Sequence, residues 1–298
     1  MNSGVGPETL NIVGCGKLGR AMAALWVRAG VLRIGAVCNT TRASSEQAVS
    51  SLGMGTVCES IAEMPPAQVW MIATPDNEIA PSAERISRGL SVRPRDVVFH
   101  CSGALASDTI ASLRGQGASI GSLHPVRSFA DPELAIKNFT GTYCALEGDS
   151  PAVELLRRVC LAIGARVFTI EPQAKVLCHA GHVFASNYLV TVLDVAQRLY
   201  RAAGIPDDVV NGLIEPLARS AVENACMLGS ERALTGPIVR GECAVLEQHV
   251  LALESTSADH AVLYRQLGRA ALEIARERGE LTDDKLTAIS ELLETRTA

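Results

Sequence analysis

The chain has 298 residues, 48% of them apolar and only 4% aromatic, a formal net charge of −5 and nine cysteines. This length allows one large domain or two modest ones around an aliphatic core, and an acidic balance without a basic tract argues against a nucleic-acid or membrane-surface binder. Nine scattered cysteines, an odd number with no C-x-x-C pair, read as reduced thiols of a cytoplasmic protein; they suggest neither a disulfide framework nor a metal site. The first nine residues join no basic start to an apolar stretch, so no secretory leader is expected.

In chain order, a short apolar strand runs into Gly14-Cys15-Gly16-Lys17-Leu18-Gly19, and a helical pattern through Ala21, Met22, Leu25 and Trp26 follows at once. In that strand–turn–helix frame G-x-G-x-x-G reads as a dinucleotide fingerprint. Gly14 permits the tight turn, Gly16 lets the backbone approach a pyrophosphate, and Gly19 lets helix and strand pack closely. The next strand, 33–38, ends at Asn39-Thr40-Thr41-Arg42 with no acid to accept a ribose 2′-hydroxyl. Neutral donors and one guanidinium there suit a 2′-phosphate, so NADP(H) is the expected cofactor. Strands then follow near 56–57, at 68–73 (ending in Thr74-Pro75-Asp76), at 96–100 (ending in Cys101-Ser102-Gly103) and at 118–123 (ending in His124-Pro125). Helices are expected at 79–90, 108–113 and 152–163, with later strands at 143–146 and 166–170. Repeated strand–crossover–strand units imply an α/β Rossmann domain with a doubly wound parallel sheet. Beyond Pro172 no convincing strand appears. Helices are expected at 173–203, 207–228, 237–253, 257–278 and 282–294, which gives an NADP-binding domain over 1–171 and an all-α domain over 172–298. Residues 176–193 are uncharged and long enough to suggest a membrane span, but His179, His182, Ser186, Asn187 and Thr191 favour a helix buried in a core or a subunit interface.

Ligands of such sheets bind beyond the carboxyl ends of the strands. Thr74 and Pro75 there join the cofactor candidates; Ser102 is a candidate for orienting a substrate carbonyl or carboxylate, Arg127 for pairing with a carboxylate, and His124 for binding substrate. On the long helix Lys175, His179, His182 and Ser186 are spaced four, three and four, which places them within a stripe about 60° wide with Asn187 at its margin. Lys175 or His179 is the candidate proton donor. Leu234-Thr-Gly-Pro with Arg240-Gly241 is an unusual interhelical connection, where Arg240 could meet a substrate carboxylate or the motif could simply cap and turn helices.

The phrases His100-Cys-Ser-Gly-Ala-Leu, Gly121-Ser-Leu-His-Pro with Ser128-Phe-Ala-Asp131, Phe184-Ala-Ser-Asn-Tyr-Leu189 and Leu234-Thr-Gly-Pro with Arg240-Gly241 resemble a bacterial family of Rossmann-like proteins with a C-terminal helical domain of unknown function. More distantly, the layout is similar to pyrroline-5-carboxylate reductases, F420-dependent NADP reductases and the β-hydroxyacid dehydrogenases, which include ketopantoate reductases. That resemblance implies hydride transfer at an interdomain cleft and a homodimer through the C-terminal helices. In the β-hydroxyacid enzymes a lysine on the long helix serves the reacting oxygen with an asparagine four residues on. Lys175 matches the lysine, but His179 stands at the asparagine's place and Asn187 comes too late for it. The leading expectation is an NADPH-dependent reductase of a small 2-oxo acid, ketopantoate-like. The alternatives are an imine reductase acting on a pyrroline-5-carboxylate-like substrate, and a non-catalytic dimeric NADP-binding sensor or scaffold. A redox-sensing thiol at Cys15 is a weaker rival.

Overall fold

The computed structural model describes residues 6–89 and 91–294. The first residues of the chain, on which the leader expectation rests, and Leu90, expected to end a helix, lie outside the described residues. The chain divides into two compact units after Ser186, rather than at the expected 171/172.

The first unit is built on one eight-stranded sheet, β1 (Glu8–Val13), β2 (Leu32–Cys38), β3 (Thr56–Val57), β4 (Val69–Ile72), β5 (Val97–His100), β6 (Ser119–Pro125), β7 (Tyr143–Gly148) and β8 (Arg166–Thr169), in the spatial order β3-β2-β1-β4-β5-β6-β7-β8. Strands β1 to β6 are mutually parallel, and α1 (Lys17–Arg28), α2 (Arg42–Leu52), α3 (Ile79–Arg88) and α5 (Ser150–Ala162) supply the covering helices. β1 and β4 are almost wholly buried, as both faces of a parallel sheet must be. Trp26 of α1 meets Phe99 of β5 edge to face at 6.1 Å, and each such buried ring contributes roughly 2–3 kcal/mol. The β1–β2 register slips between Leu10 and Ile12. Buried Asn11 mends the slip: its Oδ1 accepts from Ala36 N at 3.0 Å and its Nδ2 donates to Pro65 O at 2.6 Å.

The sheet departs from all-parallel order at β7, which runs antiparallel to β6, with β8 parallel to β7. The connection from β6 holds only the short helix α4 (Pro132–Lys137), capped by Asp131 through Glu133 N and Leu134 N. It packs beside α1 and returns to the sheet from the edge it left, without the crossover helix that a parallel neighbour requires. The helix expected at 108–113 is a 3₁₀ segment, Ser107–Gln116.

After β8 comes α6 (Lys175–Val183), then a π-helical turn, Phe184–Tyr188, in which the division between the units falls. The second unit is all helical: α7 (Leu189–Ala202), α8 (Asp207–Leu228), α9 (Ser230–Ala233), α10 (Pro237–Arg240), α11 (Cys243–Thr256), α12 (Ala258–Arg278) and α13 (Asp283–Leu293). Leu246, Leu272, Ile289 and Leu293 form its core. The helix expected over 237–253 is broken into α10 and α11, because Gly241 takes a left-handed φ of +68° and ends α10. The helical run Pro172–Ala202 has a mean hydropathy of 1.3 and is long and apolar enough to cross a membrane by length and composition alone. Its apolar side chains are exposed, among them Val176, Leu177, Val190 and Val192. The expectation of a helix buried in a core is therefore not met within one copy of the chain.

Candidate active site

The glycine turn has the shape its sequence demands. Gly14 sits at φ +82°, and a Cβ there would lie 2.6–2.9 Å from Thr74, so no other residue fits. Gly19 abuts the carbonyl of Gly14, 3.2 Å from where a Cβ would stand, whereas a Cβ on Gly16 would meet nothing within 4 Å. The turn is thus tight at its ends and open at its middle. The α1 N-terminus behind it has no side-chain cap and no acid in its first turn, leaving its N–H groups to an anion. Thr74 Oγ1 is buried with no partner. A cavity of about 550 Å3 opens beside the turn, lined by Gly14, Asn39, Thr40, Thr74 and Pro75 among others. An open glycine, bare helix N–H groups, an orphaned hydroxyl and a cavity fit a dinucleotide.

Other cofactor candidates have a second occupation. Asn39 Oδ1 accepts from Cys15 N at 2.5 Å, while its own N–H donates to the buried Ser45 Oγ at 2.9 Å; Asn39 holds the glycine turn to the end of β2. Thr41 caps α2 by accepting from Ser44 N. Arg42 pairs with Glu46 at 2.8 Å and with Glu59, all three exposed. Lys17 Nζ donates to Ala130 O at 2.8 Å, and Leu18 packs on the main core. Burial pushes the Cys15 thiol up to about 12, which keeps it protonated and unreactive at neutral pH and speaks against the thiol-sensor rival.

The second cluster stands where β4, β5 and β6 end. Ser102 Oγ donates to Asp76 Oδ2 at 2.8 Å and accepts from Ala104 N and Leu105 N at 3.1 and 2.9 Å. Its N–H donates to Nδ1 of His100, a fully buried ring whose pKa burial lowers to about 4. Ser102 therefore shapes the turn, with its hydroxyl fully engaged. Lys175 is 2% exposed. Its Nζ donates to Ser102 O at 3.2 Å and to Ser122 Oγ at 2.5 Å and lies 3.7 Å from Glu147 Oε1. Glu147 in turn accepts from Ser107 N and Ser107 Oγ, both at 2.7 Å. Burial lowers the Lys175 pKa, with Glu147 opposing. The lysine thus ties α6 to β6 and the Ser102 turn by two hydrogen bonds and faces the Glu147 carboxylate of β7 as an ion pair. This attachment explains why α6 belongs to the first unit.

Two imidazoles, His124 and His179, border Gly103, and a third, His182, packs on them. His124 stacks on His182 (centroids 5.3 Å apart, 26° between planes) and meets His179 edge to face at 5.8 Å. A Cβ on Gly103 would lie 2.4 Å from His179 Cδ2 and 2.8 Å from His124 Cε1, so a larger residue there must displace those rings. Burial, then the neighbouring His182, lowers the His124 pKa to about 4. Burial, then His179, lowers that of His182. Nδ1 of both His124 and His182 is buried without a partner. Among the described residues no group of three His, Cys, Asp or Glu side chains is placed to hold a metal.

The helix stripe read from sequence brings Lys175, His179 and His182 to this edge. Ser186 is exposed within the π turn, where the extra residue per turn breaks the spacing. Arg127 Nη1 donates to Asn138 O at 2.7 Å and to Thr142 Oγ1 at 3.4 Å, anchoring the α4 loop. Asn187 and Arg240 lie in the second unit; Asn187 is exposed, and Arg240 forms a two-pronged pair with Glu242 at 2.8 Å. Sequence reasoning did not single out Ser122, Glu147 or His100. A lone acid in the otherwise uncharged strand Tyr143-Cys-Ala-Leu-Glu-Gly was the signal available for Glu147.

Residues 2–125 match a Rossmann-like domain, and residues 142–271 match a domain of unknown function, DUF2520. The chain joins a Rossmann-like domain to a DUF2520 domain. Among solved structures it is similar to a Bacteroides fragilis protein named as an NADP oxidoreductase, at 20% identity over 92% of this chain and 99% of that one, with a TM-score of 0.72. It is also similar to a Thermotoga maritima protein named without an activity (25% identity, 91% and 100% covered, TM-score 0.69). A third neighbour is an imine reductase from Myxococcus stipitatus in complex with NADP+ (16%, 96% and 100% covered, TM-score 0.60). At such identities the likeness is one of fold. No curated protein matches the sequence. The expectation of a ketopantoate-like substrate gains no support from these neighbours and is withdrawn.

Proposed function

We propose that the protein is an NADP-dependent reductase of carbon–nitrogen double bonds. The observation that carries the reading is a convergence on one sheet edge: an open glycine turn with a bare helix N-terminus stands at the end of β1, and the Ser102–histidine cluster stands at the ends of β5 and β6. Bound NADPH would supply the hydride. Gly14, Gly16 and the α1 N–H groups would hold its pyrophosphate, and the α2 N-terminus with Thr41 and Arg42 would receive its 2′-phosphate once Arg42 releases Glu46 and Glu59. Thr74 and Pro75 would border the cofactor between those points. The named neighbours, an NADP oxidoreductase and an imine reductase, support the class of reaction.

Lys175 in this reading is a positioning residue, since its ammonium is enclosed by protein acceptors. His124, His179 and His182 form the wall against which substrate lies. A second copy of the chain would cover the exposed apolar side chains of Leu177, Phe184, Val190, Leu217 and Met227, and sedimentation should find a dimer. Nine free cysteines, six of them buried, suit a cytoplasmic setting.

The test is a nicotinamide-fluorescence titration with NADPH and NADH, followed by absorbance assays with a panel of imines and 2-oxo acids. Selective NADPH binding with imine-dependent oxidation is expected. Binding without oxidation of any imine would favour the sensor, and no binding would overturn the reading.

A further inference from the structure

The charges at the reacting end of the sheet edge are unequal. Three cations that sequence places there are already directed at protein acceptors: Lys17 at Ala130 O, Arg127 at Asn138 O and Thr142, and Lys175 at Ser102 O, Ser122 and Glu147. His100 and His124 are held neutral by burial. Against them stands Asp76, exposed at the start of the turn after β4. One carboxylate oxygen accepts from Ser102 Oγ, which leaves the other lone pairs of a negative group for a ligand. That hydrogen bond turns the carboxylate toward the Ser102 turn at the edge of the cluster. A carboxylate-bearing substrate would face this anion with no uncommitted cation among those three. A cation would find a partner.

The protonation chemistry agrees. Reducing a carbonyl requires a proton for the developing alkoxide, and the group that sequence would assign to deliver it, Lys175, is enclosed. A protonated imine brings its own proton. Resting on the reductase reading, we propose that the site takes a protonated imine that bears no carboxylate, and that Asp76 is the residue that selects its positive charge. In the reaction a C–H bond forms at the imine carbon with the hydride pair, and the C=N π pair returns to nitrogen. The nitrogen keeps its proton and ends as a neutral amine, while the nicotinamide is left oxidised. The His124 ring, neutral through burial, does not repel the cation, and Asp76 opposes its charge.

The experiment compares 1-pyrroline with 1-pyrroline-5-carboxylate on wild-type protein and on Asp76→Asn. Asparagine retains an oxygen to accept the Ser102 hydrogen bond and removes only the charge, so a purely structural role would survive the change. The expected result is that 1-pyrroline is preferred in kcat/KM by about tenfold or more, and that Asp76→Asn removes most of that preference. A second readout needs no turnover: calorimetry of pyrrolidine, a cation at neutral pH, binding to protein loaded with NADP+. Asp76→Asn should weaken that binding about tenfold or more and leave the NADPH Kd unchanged. Preference for 1-pyrroline-5-carboxylate, or an Asp76→Asn protein with unaltered kcat/KM and pyrrolidine affinity, overturns the inference while the reductase reading stands. Pyrrolidine binding with no oxidation of NADPH by either imine supports the cation site and overturns the reductase reading. Neither binding nor turnover overturns both.

Discussion

Replacing Lys175 with methionine separates a clamp from a proton donor. The side chain is buried, and its ammonium serves Ser102 O, Ser122 Oγ and Glu147. Methionine fills the space but leaves the buried Glu147 carboxylate facing only Ser107, and leaves two further acceptors unserved. Removing one partner of a buried ion pair costs about 3–5 kcal/mol, because the other charge remains in a poor solvent. Both tryptophans of the chain, Trp26 and Trp70, are buried in the first unit, so their fluorescence during urea unfolding reports on that unit without the second. With a slope of about 2–3 kcal/mol per molar, the midpoint should fall by roughly 1–2 M. Adding Glu147→Gln removes the stranded charge while keeping an acceptor for Ser107, and the double variant should recover about 2 kcal/mol of the loss. A Lys175→Met protein whose midpoint is unmoved while its turnover collapses would refute the clamp and restore the lysine as acid.

Two glycine substitutions should part company: Gly14→Ala strains a positive φ against Thr74 and should lower stability and NADPH affinity together, whereas Gly16→Val has open space and should leave the midpoint unchanged while NADPH binding weakens by at least about tenfold. Gly103→Ala should push His124 and His179 apart and cost turnover with little change in NADPH Kd, as kinetics with parallel fluorescence titration would read. Acid should destabilise the first unit. His100 and His124 titrate near 4 in the fold against 6.5 in an unfolded chain, so below pH 6.5 the unfolded state binds protons that the folded state does not. At 1.36 kcal/mol per unit, each contributes up to about 3 kcal/mol that is complete above pH 6.5 and lost as pH falls toward 4. Urea midpoints should fall across that window, and a flat profile would contradict the burial argument.

The order of strands and the glycine fingerprint were legible because both are local. Apolar runs bounded by turn residues mark the strands, and Gly14, Gly16 and Gly19 follow one at once. The reversal at β7 was not legible, since it depends on where a connection with only a short helix packs. The polar stripe on α6 was legible as a stripe, with water, a polar partner or a cleft as its open alternatives; the fold brings Lys175, His179 and His182 to the sheet edge and leaves Ser186 exposed. What these residues do there is set by partners distant in sequence: Ser102, Ser122 and Glu147 enclose the lysine, and no spacing rule announces them. Arg42 and Arg127 show the same limit. Their types suit phosphate and carboxylate, yet Glu59 and Asn138 hold them in the free chain.

The central claim is that hydride passes to an imine carbon at the edge bearing Ser102 and Gly103. It is tested most directly by supplying NADPH deuterated at the transferring position together with 1-pyrroline and weighing the amine product by mass spectrometry. The account requires one deuterium in pyrrolidine, at the former imine carbon, and correspondingly less labelled product from Gly16→Val at NADPH concentrations below that variant's weakened Kd. Pyrrolidine formed without deuterium from either face of the nicotinamide, or no pyrrolidine from protein shown to be NADPH-loaded, would contradict it.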